Sequence, residues 1–188
     1  MDISEVRARI VATADELYNA KGIQSVGMDE LRTAAGVSLK RLYREFPSKS
    51  SIVMAVLERR HQAWTVGLDA RVREAATPRD QLLAIFDYLS QWFCQDTFRG
   101  CGFINSFAEV GAVSPEVADY ARKHKASFQE YVGQLTKEAG GPPVLAAQLS
   151  ILAEGAQTTA AIAGSPDAAG QARQAAGVLI DTALNTAS

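Results

Sequence analysis

Apolar residues recur at three- and four-residue spacings along almost the whole chain, and no segment sustains an alternation of period two. Burial on a helix repeats every 3.6 residues and burial on a strand every two, so this pattern restricts the fold to packed helices. Punctuation then divides the pattern. Thr77-Pro78, Ser114-Pro115 and Ser165-Pro166 each join a capping hydroxyl to a proline. The missing proline N–H costs nothing at a first helical position, so each pair marks a helix start. Gly22, Gly36 and Gly140-Gly141 follow the ends of apolar stripes, where helices stop.

Read with these stops, a first helix covers about residues 3–20 with Ile10, Ala14, Leu17 and Tyr18 inward. A short second helix covers 28–35. A third starts at Ser38, which can cap it, and runs to Phe46 before Pro47. A fourth begins near Ser48 and passes Trp64, burying Ile52, Val53, Val56 and Leu57. From Pro78 a helix carries Leu82, Phe86, Leu89 and Phe93 on one stripe. A short apolar segment, 103–110, follows the Gly100-Cys101-Gly102 break. Three longer helices are expected over about 115–139, 142–163 and 166–186. The predicted fold is all-α with about nine helices, a small head over 1–62 and a larger helical domain over 63–188.

The hydrophobic share of 47% and charged share of 21% suit a chain with a real core. A net charge of −2 excludes a uniformly basic nucleic-acid binder. Positive charge is local instead. Residues 38–60 hold six basic and two acidic side chains, whereas 61–188 hold nine and thirteen. The start, Met1-Asp2-Ile3-Ser4-Glu5, lacks the basic region of a secretory signal, and no run approaches the ~18 apolar residues of a membrane span. With two cysteines, the expectation is a reduced, cytoplasmic protein with no membrane partner.

The basic stretch coincides with a helix-turn-helix over about 27–46, centred on Ala34-Ala35-Gly36-Val37-Ser38. The glycine permits the positive φ of the turn. The following helix then offers its first residues, Ser38, Leu39, Lys40 and Arg41, to base edges in a major groove. Lys40 and Arg41 can donate to guanine O6 and N7 or to phosphate. Tyr43 and Arg44 lie one turn on, within reach of phosphate. Lys49, in the first turn of the fourth helix, stands beside free backbone N–H groups, a natural anion site. A basic run alone is usually a solvated face; inside this motif it is read as a DNA contact.

Residues 28–49 resemble the DNA-binding head of the TetR (tetracycline repressor-type) family. The shared elements are Ala35-Gly36-Val37-Ser38, then Leu42-Tyr43, Phe46 and Lys49 at their usual spacings, and the likeness extends over about 7–60. The resemblance implies a ligand-responsive regulator, most often a repressor, that binds a palindromic double-stranded DNA operator as a homodimer. It also implies that Tyr43 and Lys49 contact phosphate. No cofactor is expected. Three departures stand out. Gly27 caps the second helix where a serine or threonine is usual, and it is counted with Met28 among the DNA-facing residues. Arg32 replaces an alanine, so it must snorkel or reach phosphate. Lys40-Arg41 replace a Gly-Thr pair and add charge where bases are read.

For the second domain the resemblance implies an apolar effector pocket with a few polar groups. Trp92, Phe93, Phe103, Phe107 and Phe128 are candidate walls, with Asn105 and Gln157 as polar contacts; the alternative for each aromatic is ordinary core. The last two helices are rich in small residues beside Leu145, Leu149, Leu152, Leu179, Ile180 and Leu184, and the resemblance makes them a dimer interface. An alternative function is a thiol-based, redox-responsive DNA-binding regulator using Cys94 and Cys101, although neither has an activating neighbour in the sequence. His61 and His124 are isolated, so no metal site is expected. An all-α enzyme is the least favoured reading, because no nucleophile elbow, zinc-protease helix, phosphate loop or dinucleotide fingerprint is present.

Overall fold

The computed structural model describes residues 3–185. Within them nine helices and no strand occur: α1 (Ile3–Lys21), α2 (Met28–Ala34), α3 (Leu39–Glu45), α4 (Lys49–Arg73), α5 (Pro78–Phe93), α6 (Gly102–Val110), α7 (Pro115–Glu138), α8 (Pro143–Ala163) and α9 (Asp167–Asn185). Thr186, the expected end of the last helix, lies outside the described residues.

The local signals act as their chemistry requires. The Ser38 hydroxyl accepts from the Arg41 backbone N–H at 3.1 Å, and the Thr77 hydroxyl accepts from that of Asp80, also at 3.1 Å. Gly36 adopts a φ of +63°, which a side chain would strain, and this reverses the chain between α2 and α3. Phe46 is fully buried at the end of α3, and the Arg7 guanidinium lies 4.0 Å from its ring centre. Arg7 also donates to the Glu45 carbonyl at 2.6 Å, satisfying an orphan acceptor at the end of α3.

Two compact units form. The first joins residues 1–62 with 102–123, and the second joins 63–101 with 124–188. The first unit thus takes in α6 and the start of α7 together with the segment read as the head. The physical reason is non-local bonding. The backbone N–H of Gln24 donates to the Glu109 carboxylate at 3.1 Å, and the Gln24 amide donates to the Glu109 carbonyl. Further along, the hydroxyls of Ser50 and Ser114 lie 2.9 Å apart, and Ser50 also donates to the Glu116 carboxylate. Those hydrogen bonds hold the Glu116 carboxyl below the usual glutamate value.

In the first unit the core is made by Val6, Ile10, Ala14 and Tyr18 of α1, Leu31 of α2, Leu42 of α3, Phe46, and Ile52, Val53, Val56 and Leu57 of α4. In the second, Leu82, Phe86 and Leu89 of α5 are fully buried against a cluster that includes Phe128, Val132, Leu145, Leu149 and Ile180. Each such side chain contributes about 1.5–3 kcal/mol relative to exposure. α8 buries Ala153, Ala156 and Ala160, and α9 buries Ala169, Ala172 and Ala176; side chains this small allow close helix approach. Two ion pairs fasten α9 to α5: Arg79 grips Asp181 with two bonds of 2.7 and 2.9 Å, and Arg173 meets Asp87 at 2.7 Å.

Candidate DNA-binding interface

α3 is amphipathic at its smallest useful length. Leu42 and Phe46 point inward and are fully buried. On the other side Leu39, Lys40, Tyr43 and Arg44 are exposed, with Tyr43 at 47%. Anchoring two large apolar groups fixes the helix, so the exposed side chains are presented on a rigid element. Lys40 makes no ion pair among the described residues, which leaves its ammonium available.

Arg41 behaves differently. Its Nε lies 2.8 Å from the Glu45 carboxylate one turn on, at an angle that makes the contact coulombic rather than hydrogen-bonded. Arg44 lies 3.8 Å from the same carboxylate. Reaching a base would take Arg41 away from Glu45, so of the two adjacent cations Lys40 needs no rearrangement. The Ser38 hydroxyl oxygen accepts the capping bond from the Arg41 backbone N–H, and its own O–H can still donate.

In α2, Gly27 stands at the N-cap with extended backbone and no side-chain bond, and Met28 opens the helix half-buried. Arg32 is partly exposed, and its Nε donates to Asp29 at 2.7 Å within its own helix. Lys49 is half-buried, and its ammonium is 3.5 Å from the Gln24 carbonyl. Burial holds Lys49 below the usual lysine value, and the Glu109 charge partly restores it. Gln24, Glu109 and Arg7 have no signature in the helix-turn-helix pattern, because their partners are 38 to 85 residues away.

The residues expected around an effector are divided. Phe103, Asn105 and Phe107 belong to the first unit, and Trp92, Phe93, Phe128 and Gln157 to the second. Phe103 is buried with its ring 6.2 Å from that of Tyr120, and Phe107 is 46% exposed with the Arg122 guanidinium 5.7 Å from its centre. Trp92 and Phe93 form an aromatic group with Phe98, which periodicity did not single out; ring centres are 5.1 Å apart for Trp92–Phe98 and 4.7 Å for Phe93–Phe98. Phe128 is buried edge-on to Trp64 at 5.1 Å. Gln157 is a buried polar side chain among the alanines of α8.

Cys94 is exposed and Cys101 buried. The expectation that nothing stands ready beside either thiol fails for Cys101. The Lys125 ammonium lies 3.3 Å from its sulfur and is itself 2.5 Å from the Glu154 carboxylate. Among the described residues no cluster of side chains could hold a metal ion, and no helix is long and apolar enough to cross a membrane.

This geometry has counterparts in known proteins. Residues 10–56 match the model of a family described as bacterial regulatory proteins, tetR family. The chain is 30% identical over 115 residues to the HTH-type transcriptional repressor NemR of Escherichia coli K12, a match covering 60% of this chain and 58% of NemR. It is 33% identical over 89 residues to the transcriptional activator FasR of Mycolicibacterium smegmatis, covering 45% and 41%. The chain thus spans less than two thirds of the length of either relative. Among solved structures, a TetR-family transcriptional regulator from Streptomyces coelicolor superposes with a TM-score of 0.85 at 25% identity, covering 98% of this chain and 97% of that one. The reduced form of E. coli NemR superposes with a TM-score of 0.82 at 25% identity, covering 92% and 95%.

Proposed function

We propose that this chain is a transcription regulator of the TetR type rather than an enzyme, and specifically a ligand-responsive repressor. It binds a palindromic operator as a homodimer, each copy placing α3 in a major groove. Two-fold symmetry then puts the two α3 helices about 34 Å apart, one helical turn of DNA. The observation that carries this reading is the presentation of Lys40, Tyr43 and Arg44 on a helix whose opposite face is locked by Leu42 and Phe46.

Dimerisation through the last two helices is supported by what they leave exposed. Val144, Ile151 and Ile162 share one face of α8, at 60%, 70% and 84% exposure, and Val178 of α9 is 67% exposed. Such a row of large apolar side chains suits burial against a second copy. A small, largely apolar effector would be taken up in the second unit, with Trp92 and Phe93 as aromatic wall and Gln157 as polar contact, and would shift the population toward a form that no longer fits DNA.

The test begins with operator DNA selected from a random duplex library by the wild-type protein. The double variant Lys40→Ala/Arg41→Ala should lose at least a hundredfold in affinity for that duplex while sedimenting as the wild type does. Unchanged affinity would sink the assignment.

A second reading is favoured by one contact. A lysine ammonium 3.3 Å from the Cys101 sulfur is one feature shared with redox-active thiols. In this reading the Cys101 sulfur attacks a peroxide oxygen, a sulfenic acid forms and water leaves, and DNA is released. If Cys101→Ser still leaves DNA when hydrogen peroxide is added, the reading is wrong.

A further inference from the structure

The two arginines of α3 stand in different settings. The Arg44 side chain is 64% exposed, whereas that of Arg41 is 25% exposed, and its Nε and Nη2 are buried with no hydrogen-bond acceptor. The difference traces to Glu45, the last residue of α3. Its side chain is 9% exposed, and its carboxylate lies 2.8 Å from Arg41 Nε and 3.8 Å from Arg44 Nε. Residues four apart share a helix face, so Arg41 and Glu45 stack one turn from each other. Arg7 of α1 donates to the Glu45 backbone carbonyl at 2.6 Å and lies on the Phe46 ring. The turn that carries the carboxylate is thereby tied to the core.

On local grounds Glu45 is badly placed. A negative charge at a helix C-terminus meets the negative end of the helix dipole. On the helix that faces a polyanion it also repels the ligand. A residue that breaks a local rule in this way points to a role beyond stability. An ion pair open to water contributes little, because solvent screens it. This pair is largely shielded, and drawing Arg41 away would leave the Glu45 carboxylate with only the more exposed Arg44 beside it. A free arginine on α3 would grip phosphate whatever the sequence, since phosphate contacts carry no base information. Lys40 and Tyr43, exposed on the same helix, face no such restraint from Glu45.

We propose that Glu45 is a specificity-determining residue of the DNA interface: its carboxylate withholds Arg41 from phosphate and so lowers affinity for arbitrary DNA more than for the operator. Glu45 acts through Arg41, as a positioning residue. The inference rests on the reading of α3 as the DNA-binding helix.

The probes are the operator duplex selected by the wild type and a scrambled duplex of the same composition, each titrated across a salt series. Each phosphate neutralised adds about 0.9 to the slope of log affinity against log salt. Glu45→Gln should steepen the slope by about that amount and bind the scrambled duplex about tenfold more tightly at low salt, with the operator gaining less than about threefold. Arg41→Ala alone should stay within about threefold of the wild type on both duplexes, and Glu45→Gln/Arg41→Ala should return the slope to the wild-type value. Without DNA, the heteronuclear NOE of the Arg41 Nε–Hε group should report a rigid side chain in the wild type and a mobile one in Glu45→Gln. An unchanged slope in Glu45→Gln overturns the proposal. So does a steeper slope that persists in the double variant, because it would then be the repulsion of the carboxylate itself. A loss of tenfold or more in Arg41→Ala overturns it too, since Arg41 would already be on the DNA, as does a mobile Arg41 in the free wild type, whatever the variants do. If the wild type binds neither duplex, the DNA reading fails and this proposal with it. If the wild type binds both and Glu45→Gln matches it, only the role of Glu45 falls.

Discussion

α3 and the α8–α9 pair are both amphipathic, but they leave opposite chemistry in view. α3 hides two large side chains, Leu42 and Phe46, and shows Lys40, Tyr43 and Arg44. α8 and α9 hide mainly alanines with Leu145, Leu149 and Ile180, and show Val144, Ile151, Ile162 and Val178. An exposed cation is comfortable in water, so its position says little until a fixed helix aims several at once. An exposed isoleucine gains from being covered, so a row of them on one face implies a partner made of protein. The same periodicity thus yields one face for a polyanion and another for a second copy.

The contrast is broken most severely at the anchors. Phe46→Ala should cost about 3–5 kcal/mol in chemical denaturation, because it removes a fully buried ring and the seat of Arg7. A cost under about 1 kcal/mol would mean that α3 is not held by its inner face. Next, Ile151→Glu should weaken self-association by about 2 kcal/mol, roughly thirtyfold in sedimentation equilibrium, if the exposed row is an interface centre. Unaltered association would deny α8 that role.

Smaller effects sharpen the picture at the helix ends. Ser38→Ala removes the cap on Arg41 N and should cost about 1 kcal/mol in stability. Gly27→Ser should gain a few tenths of a kcal/mol in thermal denaturation, since the backbone there already has cap geometry and no atom crowds a Cβ. The smallest effect is the pH dependence of the α5–α9 clamp. The hydrogen bond from Arg79 holds Asp181 below the usual aspartate value. A carboxyl lowered in the folded state stabilises above its unfolded pKa and loses this as pH falls through the folded one. Melting temperature should therefore drop slightly more between pH 6 and pH 2 in the wild type than in Asp181→Asn; identical slopes would show that the pair contributes nothing.

Much of the head was legible in the sequence because its determinants are neighbours. The Ser38 cap, the Gly36 turn and the inward Leu42–Phe46 pair, like the Thr77-Pro78 start of α5 outside the head, each rest on residues at most about five apart, and such interactions travel with the sequence wherever the segment is placed. Periodicity likewise defined which side of α5 is buried, since Leu82, Phe86 and Leu89 have no other face to occupy. Periodicity did not tell a core aromatic from a pocket wall, because Phe128 and Phe103 satisfy the same pattern in either role.

What the sequence by itself determined is the set of helices and the helix-turn-helix, whose residues match the tetR family model. Only the tertiary structure decided that 102–123 belongs with the head, that Arg41 is held by Glu45 while Lys40 is available, that Lys125 stands at Cys101, and that the Tyr18 hydroxyl is buried with no protein partner. Apart from the Arg41–Glu45 pairing, where rotamers chose among several local partners, these arrangements come from segments far apart in the chain. Which polar groups meet there depends on how the apolar faces pack, and no local spacing encodes it.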